Sequence, residues 1–446
     1  MASTPTRHHV STNAVRAGLI PRPRSTDLAH GPPAPASTLA ARIVLRRLSR
    51  IRTGRLTALL PDGTVHGFGV PGATPAAEVT VHDWRFFGRL LRGGDIGGGE
   101  AYVDGDWSTP DPVAVARLFI ANEAQLAPSG LLGGIGRVRD RLLHLTRSNR
   151  RGQARRNIHA HYDLSNAFYS LFLDRSLTYS AAVFEHPDGS LFHAQRLKYR
   201  MIANKVGLRP GDHVLEIGCG WGGFAEYAAG ELGCRVTGIT LSSEQARYAR
   251  HRMRLLGLEE QVEILEVDYR DVHGAFDAVV SIEMLEAVGH RYLNGYFAAC
   301  DRLLRPGGRL AVQVITIPDQ EYDRYRREMD WVRKYLFPGG HLPSLGAIQH
   351  SIARATSFTV EHLEDIGIHY ATTLRRWRAR FWRRIDDVRS LGFDDRFIRT
   401  WDFYLASCEA AFADRKLGNL QLVLSRTGEP DATMARTTDR ATRSSP

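Results

Sequence analysis

The sequence predicts an α/β fold built on a doubly wound, parallel sheet. Strand and helix patterns alternate over residues 214–317, and the first strand runs into a glycine-rich turn, VLEIGCGWGG, at 214–223. The chain has 446 residues, enough for two domains with substantial cores. Because ligands of such sheets bind at the carboxyl ends of the strands, we expect the functional site at that edge.

A second, smaller α+β domain is predicted at residues 39–135. It begins with an amphipathic helix, LAARIVLRRLSRI, and continues with a hairpin that turns at Asp62-Gly63. A helix, a glycine-rich loop (GGDIGGGE) and a tight acidic turn follow. Residues 1–38 are rich in Pro, Ala, Ser, Thr and Arg without hydrophobic periodicity, which predicts disorder.

Residues 136–156 contain eight arginines and one acidic residue, Asp140. This pattern predicts either a solvated linker or a basic surface that binds anionic lipid headgroups. A second basic segment, RRWRARFWRR at 375–384, mixes six arginines with Trp377, Phe381 and Trp382. It is typical either of a membrane interface or of a basic helix whose aromatic residues form its core stripe.

The larger domain is predicted at residues 157–426. Its expected strands lie at 214–217, 235–240, 262–267, 276–282 and 309–317. Gly233 and Gly257 are expected to end the first two helices, and Ser242 with Gln245 forms a capping box, S-x-x-Q. A helical insertion at about 319–356 and a late strand at 419–426 complete the domain, before a polar tail at 427–446 that is predicted to be disordered.

The composition limits the classes of partner and compartment. The formal net charge is +11, which favours an anionic partner, either nucleic acid or an anionic lipid surface. No apolar run approaches the ~20 residues of a membrane span, so membrane contact would be peripheral. The four cysteines show no metal-binding spacing and the N-terminus has no apolar signal core, which predicts a cytoplasmic protein without a metal site.

The glycine turn fits two cofactor fingerprints. It matches G-x-G-x-x-G of dinucleotide sites, and also E-x-G-x-G-x-G of S-adenosyl-L-methionine (SAM) sites through Glu216, Gly218, Gly220 and Gly222. A dinucleotide site requires an acid at the end of the second strand, where this chain has Thr240-Leu241. NAD is disfavoured for that reason, and Ser242 and Gln245 offer polar substitutes for the acid.

Other residues at the strand ends favour SAM. Asp268, Tyr269 and Arg270 end the third strand, where they would meet the adenine side of the cofactor. Glu216 faces the loop from the first strand. It is expected either to meet the positive end of the methionine moiety or to cap the loop backbone.

A series of ordered motifs resembles the cyclopropane-fatty-acyl-phospholipid synthases, SAM-dependent enzymes related to the mycolic acid cyclopropane synthases. The motifs include HAHYDLSNAFYSLFLDRSLTYSAAVFE, VLEIGCGWGGFAEYAA, GITLSSEQ, FDAVVSIEMLEAVGHRYLNGYF, HYATTLRRWRARF and YLASCEAAF. The resemblance covers about residues 157–426, and GGGEAYVDGDW is similar to the smaller, lipid-facing domain of that family. It implies a class I SAM-methyltransferase fold with a helical lipid-pocket insertion.

The resemblance also implies a reaction. The substrate would be a cis double bond in an acyl chain of a membrane phospholipid. The alkene would attack the SAM methyl group to give a carbocation, and loss of a proton from the new methyl would close a cyclopropane ring. It further implies a homodimer and a protein bound peripherally to the anionic inner face of the membrane.

Site residues follow from the same resemblance. Glu286, Tyr370 and Cys408 match catalytic-site positions of the family. Positions that contact the cofactor are matched by Tyr179, Ser180, Thr240, Ser242, Gln245, Tyr269 and Arg270. Structural alternatives remain open: Tyr370 as a core tyrosine, Glu286 as an acid at a helix N-terminus, and Cys408 as a small buried residue.

The chain departs from the family at a second cofactor site. Members that use bicarbonate as the proton-abstracting base hold it with a cysteine, a glutamate, a histidine and a tyrosine. Here Ala181 occupies the cysteine position and Ile315 the histidine position. Either another base acts, with Glu286 or water as candidates, or proton loss follows another course and gives a methyl- or methylene-branched chain.

Two further classes of function remain as alternatives. The net charge would suit a nucleic-acid methyltransferase, but the fourth strand ends in SIEMLEAVG instead of the N-P-P-[YF] or Pro-Cys signature of base methylation. Ala181 and Ile315 would also suit a catalytically silent lipid-binding protein. The sequence therefore favours a lipid methyltransferase without a nucleic-acid partner.

Overall fold

The computed structural model describes residues 35–126, 165–186 and 188–426. The basic segment at 136–156, the end of the small domain and the polar tail lie outside these residues, as does most of the N-terminal segment expected to be disordered. The first helix begins at Pro35, so the expected boundary at residue 38 is wrong by a few residues.

The small domain is a four-stranded sheet covered by helices. Its elements are α1 (Pro35–Leu48), β1 (Arg55–Leu59), β2 (Val65–Gly69), β3 (Ala76–Val81), α2 (Arg85–Val103), β4 (Trp107–Ser108), α3 (Pro112–Ala121) and α4 (Glu123–Leu126). The strand order is β2-β1-β3-β4, with β1 antiparallel to β2 and parallel to β3. The hairpin predicted around Asp62-Gly63 is confirmed.

The glycine-rich segment of this domain is helical, so the expected loop is wrong. Helix α2 runs through it with a kink at Gly94, whose φ is 55°. A Cβ atom on Gly97 would lie 2.1 Å from the carbonyl oxygen of Arg89, and one on Gly99 would lie 2.6 Å from the ring of Trp331. The glycines are therefore needed for close packing, both within α2 and against the large domain.

The large domain carries a sheet with helices on both faces. Its elements are α5 (Asn166–Phe172), α6 (Leu191–Val206), β5 (His213–Ile217), α7 (Gly223–Leu232), β6 (Arg235–Thr240), α8 (Ser243–Leu256), β7 (Val262–Glu266), β8 (Phe276–Ile282), α9 (Leu293–Leu303), β9 (Leu304–Thr316), α10 (Asp319–Tyr325), α11 (Trp331–Tyr335), α12 (Leu345–Ala355), β10 (Phe358–Asp365), α13 (Gly367–Arg383), α14 (Ile385–Ser390), α15 (Asp395–Ala413) and β11 (Gly418–Arg426). The predicted α/β class is confirmed.

The sheet is mixed, whereas the sequence predicted a parallel one. The strand order is β10-β11-β9-β8-β5-β6-β7. Strands β9, β8, β5, β6 and β7 are parallel, but β11 is antiparallel to β9 and β10 is antiparallel to β11. Strand β10 was not predicted because most of its side chains are exposed at the sheet edge, so it lacks an alternating apolar pattern.

Helix ends in the cofactor half agree with the sequence. Gly233 and Gly257 end α7 and α8 in the left-handed conformation. The Ser242 hydroxyl accepts a hydrogen bond from the backbone N–H of Gln245, as in a capping box. The Gln245 side chain does not return that bond, because it accepts one from the Thr240 hydroxyl at 2.9 Å.

The basic helix α13 is a packing element. Trp377 and Phe381 are completely buried in the core of the large domain, and the Trp382 indole donates to the Asp402 carboxylate at 2.6 Å. Trp382 is only partly buried, but for Trp377 and Phe381 the membrane-interface hypothesis is wrong. Their i, i+4 spacing forms the core stripe, because α13 packs along α15.

The two domains are joined by buried polar contacts. The Tyr102 hydroxyl on α2 donates to Asp402 on α15 at 2.9 Å. The Arg399 guanidinium donates to the carbonyl oxygens of Tyr102 and Trp107 at 2.5 and 2.7 Å. Within the described residues, no helix is long and apolar enough to cross a membrane.

Candidate active site

Two cavities meet at the carboxyl edge of the large sheet. The first has a volume of about 180 Å³ and is lined by the glycine turn and by the ends of β6 and β7. The second has a volume of about 1610 Å³ and extends between the two domains. Tyr179, Glu283 and Ala287 line both cavities. A ligand in one cavity would therefore approach a ligand in the other at these three residues.

The smaller cavity collects most of the predicted cofactor residues. It is lined by Tyr179, Ser180, Glu216, Gly218, Gly220, Thr240, Gln245, Tyr269 and Arg270. Gly222 and Ser242 do not line it. Instead, Gly222 is the N-cap residue before α7, with a φ of 83°, and the Ser242 hydroxyl caps α8. These two residues therefore shape the backbone around the cavity.

Glu216 presents a carboxylate oxygen without a partner. One part of the carboxylate accepts the backbone N–H of Ala225, while its buried Oε2 has no hydrogen bond to any described residue. Burial raises the pKa of Glu216 to about 8, although the buried Lys198 nearby acts in the opposite direction. A buried carboxylate in this state would gain from a cationic ligand, as the positive end of SAM provides.

We expect the affinity for SAM to depend on pH through Glu216. Because the pKa of Glu216 is raised to about 8, the side chain is largely neutral at pH 6.5 and charged above pH 8, so SAM affinity should rise over that interval. In Glu216→Gln the carboxylate contribution is absent, and binding should be about tenfold weaker than in the wild type at pH 9. Calorimetric titration from pH 6 to 9 measures both. If the ratio of the wild-type SAM affinity to that of Glu216→Gln were the same at every pH, this role would be contradicted.

The expected adenine side of the cavity is formed by a turn of 3-10 helix at Tyr269–Asp271. Asp268 caps this turn and binds the guanidinium of Arg270 at 2.7 Å. The Tyr269 ring packs edge-on against Tyr296, and Tyr269 lines the cavity. In place of a ribose-binding acid after β6, the cavity offers the bonded pair Thr240 and Gln245.

Aromatic rings surround the junction of the cavities. The Tyr179 ring stacks on Trp377 with centroids 5.2 Å apart, and its hydroxyl lies 2.9 Å from that of Tyr404. The Tyr370 ring packs against Phe412 at 4.5 Å. Aromatic faces stabilise nearby positive charge and exclude water, which suits a carbocation.

Glu283 is the polar centre of the junction, and the sequence analysis did not identify it. It follows β8 directly with a φ of 50°. Its Oε1 accepts hydrogen bonds from the Ala181 backbone N–H at 2.9 Å, from Gln313 at 2.8 Å and from Asn419 at 2.6 Å. Its Oε2 accepts one from the Tyr370 hydroxyl at 2.9 Å. The available signal was the first glutamate in SIEMLE, three residues before Glu286.

Glu286 lies beside this centre and faces the larger cavity. Its Oε1 accepts the backbone N–H of Ile315 at 2.6 Å, and its buried Oε2 lacks a hydrogen-bond partner in the described part of the chain. Burial, reinforced by the charge of Glu283, raises the pKa of Glu286 to about 8. These surroundings favour the protonated form of Glu286.

Cys408 lies on α15 and lines the larger cavity. Burial raises the pKa of its thiol to about 12, so the nucleophilic thiolate is scarce at neutral pH. This state agrees with a small buried side chain, and methyl transfer to an alkene requires no covalent enzyme intermediate. Among the described residues, no cluster of His, Cys, Asp and Glu could hold a metal ion.

The junction does not fit a bound bicarbonate. The Tyr370 hydroxyl and the Ala181 N–H already donate to Glu283. The Ala181 methyl and the Ile315 side chain provide no polar ligand atoms. A further anion would lie beside the Glu283 carboxylate in a buried site, where like charge is unfavourable.

The chain is similar to several known proteins. A family model described as mycolic acid cyclopropane synthetase matches residues 149–422. The tuberculostearic acid methyltransferase UfaA1 of Mycobacterium tuberculosis is 40% identical over 92% of this chain and 96% of its own. The cyclopropane-fatty-acyl-phospholipid synthase of Escherichia coli K12 is 36% identical over 83% of this chain and 93% of its own.

A solved structure extends the comparison to a bound state. The mycolic acid cyclopropane synthase CmaA1, complexed with SAH and CTAB, is 30% identical with a TM-score of 0.55. The match covers 61% of this chain and 98% of that one. S-adenosyl-L-methionine is therefore the cofactor of this chain.

Proposed function

Since this chain belongs to the mycolic acid cyclopropane synthetase family and is a SAM-dependent lipid methyltransferase, we propose that it methylates a cis double bond in an acyl chain of a membrane phospholipid. The observation that carries the proposal is the large cavity that meets the SAM cavity at Tyr179, Glu283 and Ala287. Glu286 and Tyr370 line this cavity near the junction, which supports their proposed place in the catalytic site.

The cavity has the size and lining that a long acyl chain requires. Its volume of about 1610 Å³ exceeds the ~300–1,000 Å³ of pockets for ordinary small ligands. Apolar side chains of the small domain, among them Leu48, Phe87 and Leu90, form part of the wall. Arg47 and Arg92 also line it, and neither forms an ion pair within residues 35–126, 165–186 and 188–426. They would suit the phosphate of a lipid headgroup.

The residues at the junction support each stage of such a reaction. Bound SAM supplies an electrophilic methyl group. The cavity walls hold the alkene against that group and keep water away. The faces of Tyr179 and Tyr370 and the carboxylate of Glu283 stabilise positive charge on the acyl chain. Loss of a proton from the transferred methyl then closes a cyclopropane ring.

A methylene-branched product is a second candidate. It arises when hydrogen migrates along the acyl chain before the proton leaves, and it needs no further reactant. The 40% identity with a tuberculostearic acid methyltransferase favours it, as do Ala181 and Ile315 at positions where ring-forming relatives hold bicarbonate. Ring and methylene products have the same mass, so only their bonding distinguishes them.

Labelled methyl transfer tests the proposal. The protein is incubated with methyl-labelled SAM and vesicles of cis-unsaturated phospholipid; matched vesicles of saturated phospholipid and duplex DNA are the controls. We expect label only in the unsaturated lipid, with a mass gain of one methylene unit. Proton NMR of the fatty esters then separates high-field cyclopropane signals from vinylidene signals. Label in DNA, or in neither lipid, would overturn the proposal.

We further propose that the protein binds peripherally to the anionic inner face of the membrane, as a homodimer in the cytoplasm. The net charge of +11 supports the electrostatic part. In vesicle flotation, we expect binding to anionic vesicles at low ionic strength and its loss at about 1 M salt, where the screening length falls to ~3 Å. Equal binding to neutral vesicles would contradict an electrostatic contribution.

A further inference from the structure

We propose that Glu283 is the proton acceptor of the reaction and takes the place that bound bicarbonate would hold. This inference rests on the proposed function, because it assigns the base for the same acyl-chain methylation. The residue belongs to the protein itself, so turnover would require no bicarbonate from solution.

The position of Glu283 is the first argument. It follows β8 at the carboxyl edge of the sheet, and its side chain lines both cavities. Glu286 lines only the larger cavity, although the two acids are three residues apart. A base must reach the transferred methyl carbon, which has to pass from one cavity to the other. Glu283 is the carboxylate at that crossing.

The hydrogen bonds of Glu283 are the second argument. Three amide donors, from Ala181, Gln313 and Asn419, converge on Oε1. Oε2 accepts a single bond, from the Tyr370 hydroxyl, which leaves it acceptor capacity for one proton. Burial and the charge of Glu283 hold the pKa of Tyr370 well above its usual value, so this hydroxyl stays a donor.

The neighbouring acid supports this division of roles. Burial and the charge of Glu283 raise the pKa of Glu286, which favours its protonated form. Two adjacent carboxyl groups in a buried site do not both ionise readily. Four donors surround the Glu283 carboxylate, whereas the Glu286 carboxylate accepts the backbone N–H of Ile315, so the surroundings of Glu283 are the better suited to a negative charge.

The step balances without another reactant. The alkene electron pair forms a carbon–carbon bond to the methyl group, and the sulfur–carbon bond breaks with its electrons remaining on sulfur. A carbon–hydrogen bond of the new methyl then breaks. Its electron pair forms the third ring bond, or the methylene double bond after hydrogen migration, and the proton binds to Oε2 of Glu283.

The backbone conformation of Glu283 allows its side chain to be removed without local strain. Its φ of 50° is one that glycine adopts without strain, and its N–H is held by the Gln313 carbonyl oxygen at 2.8 Å. Glu283→Gly should therefore keep the local backbone. It also leaves four hydrogen-bond donors around a space that a small carboxylate can enter.

Turnover is measured with labelled SAM and cis-unsaturated vesicles in CO₂-depleted buffer, with and without added bicarbonate or formate. Wild-type turnover is expected to be unchanged by bicarbonate. Glu283→Gln and Glu283→Gly should each lose about 10²–10³-fold in kcat. Formate or bicarbonate should restore Glu283→Gly at least tenfold, and neither should restore Glu283→Gln.

Controls separate this proposal from the proposed function. SAM affinity should be unchanged in both variants, and the exposed Glu260→Gln should match the wild type. A wild type that transfers no methyl to lipid would contradict the proposed function. An active wild type that requires bicarbonate, a fully active Glu283→Gln, or variants that lose SAM binding would each overturn the role of Glu283. Loss of activity without rescue of Glu283→Gly would assign it a positioning role instead.

Discussion

Replacing Gly218 by alanine is expected to weaken SAM binding about a hundredfold. Gly218 has a φ of 85°, which costs an L-residue about 1–2 kcal/mol. The added Cβ would also lie 2.7 Å from Cγ and 2.9 Å from Cβ of Met284. To avoid this collision, the glycine turn must move away from the conformation that binds SAM. Holding that conformation should cost about 3 kcal/mol in total, which appears as reduced affinity.

Gly63→Ala is the matched control for this prediction. Gly63 has the same φ of 85°, but no atom lies within 4 Å of the Cβ position, and it belongs to the hairpin of the small domain. Backbone strain is therefore similar in the two variants, while only Gly218→Ala affects the cofactor cavity. Calorimetry with SAM should show wild-type affinity for Gly63→Ala. Equal affinities of the two variants would exclude a specific role of the turn.

Filling the large cavity at Ala411 is expected to reduce methyl transfer to phospholipid by about tenfold to a hundredfold. Ala411 is half-buried on α15 and lines the cavity, beside Phe412 that packs on Tyr370. An indole in Ala411→Trp would occupy volume that the acyl chain needs, at a cost of about 1–3 kcal/mol. SAM affinity should not change, because Ala411 does not line the smaller cavity.

The control places the same side chain on the surface. Ser390, at the end of α14, is exposed, so Ser390→Trp adds an indole without narrowing the cavity. Turnover against phospholipid concentration and calorimetry with SAM are measured for both variants. If Ala411→Trp and Ser390→Trp both retained wild-type turnover, the large cavity would not be the acyl-chain site.

The cofactor half of the fold could be predicted from local signals. Glycine helix ends at Gly233 and Gly257 and the cap at Ser242 are properties of a few neighbouring residues, so the sequence contains them. Edge strand β10 and the helical glycine segment of α2 depend on tertiary packing instead. The exposed face of β10 removes its alternation, and Gly97 is explained only by its contact with Arg89.

The catalytic side was only partly predictable for a related reason. Glu286, Tyr370 and Cys408 were placed by resemblance, and all three line the larger cavity. Glu283 could not be identified from spacing, because its donors Gln313 and Asn419 lie on distant strands that meet only in the folded sheet. The sequence did indicate the missing bicarbonate ligands at Ala181 and Ile315. Their replacement indicated either another base or another course of proton loss, and it did not point to Glu283.

A crystal structure with S-adenosylhomocysteine and a cis-unsaturated phospholipid tests the central claim most directly. The account predicts the cofactor product against Glu216 and the glycine turn, with the acyl chain in the cavity between the domains. The double bond should lie at the junction, within reach of Glu283. An acyl chain bound elsewhere, or a double bond separated from Glu283 by other side chains, would contradict the account.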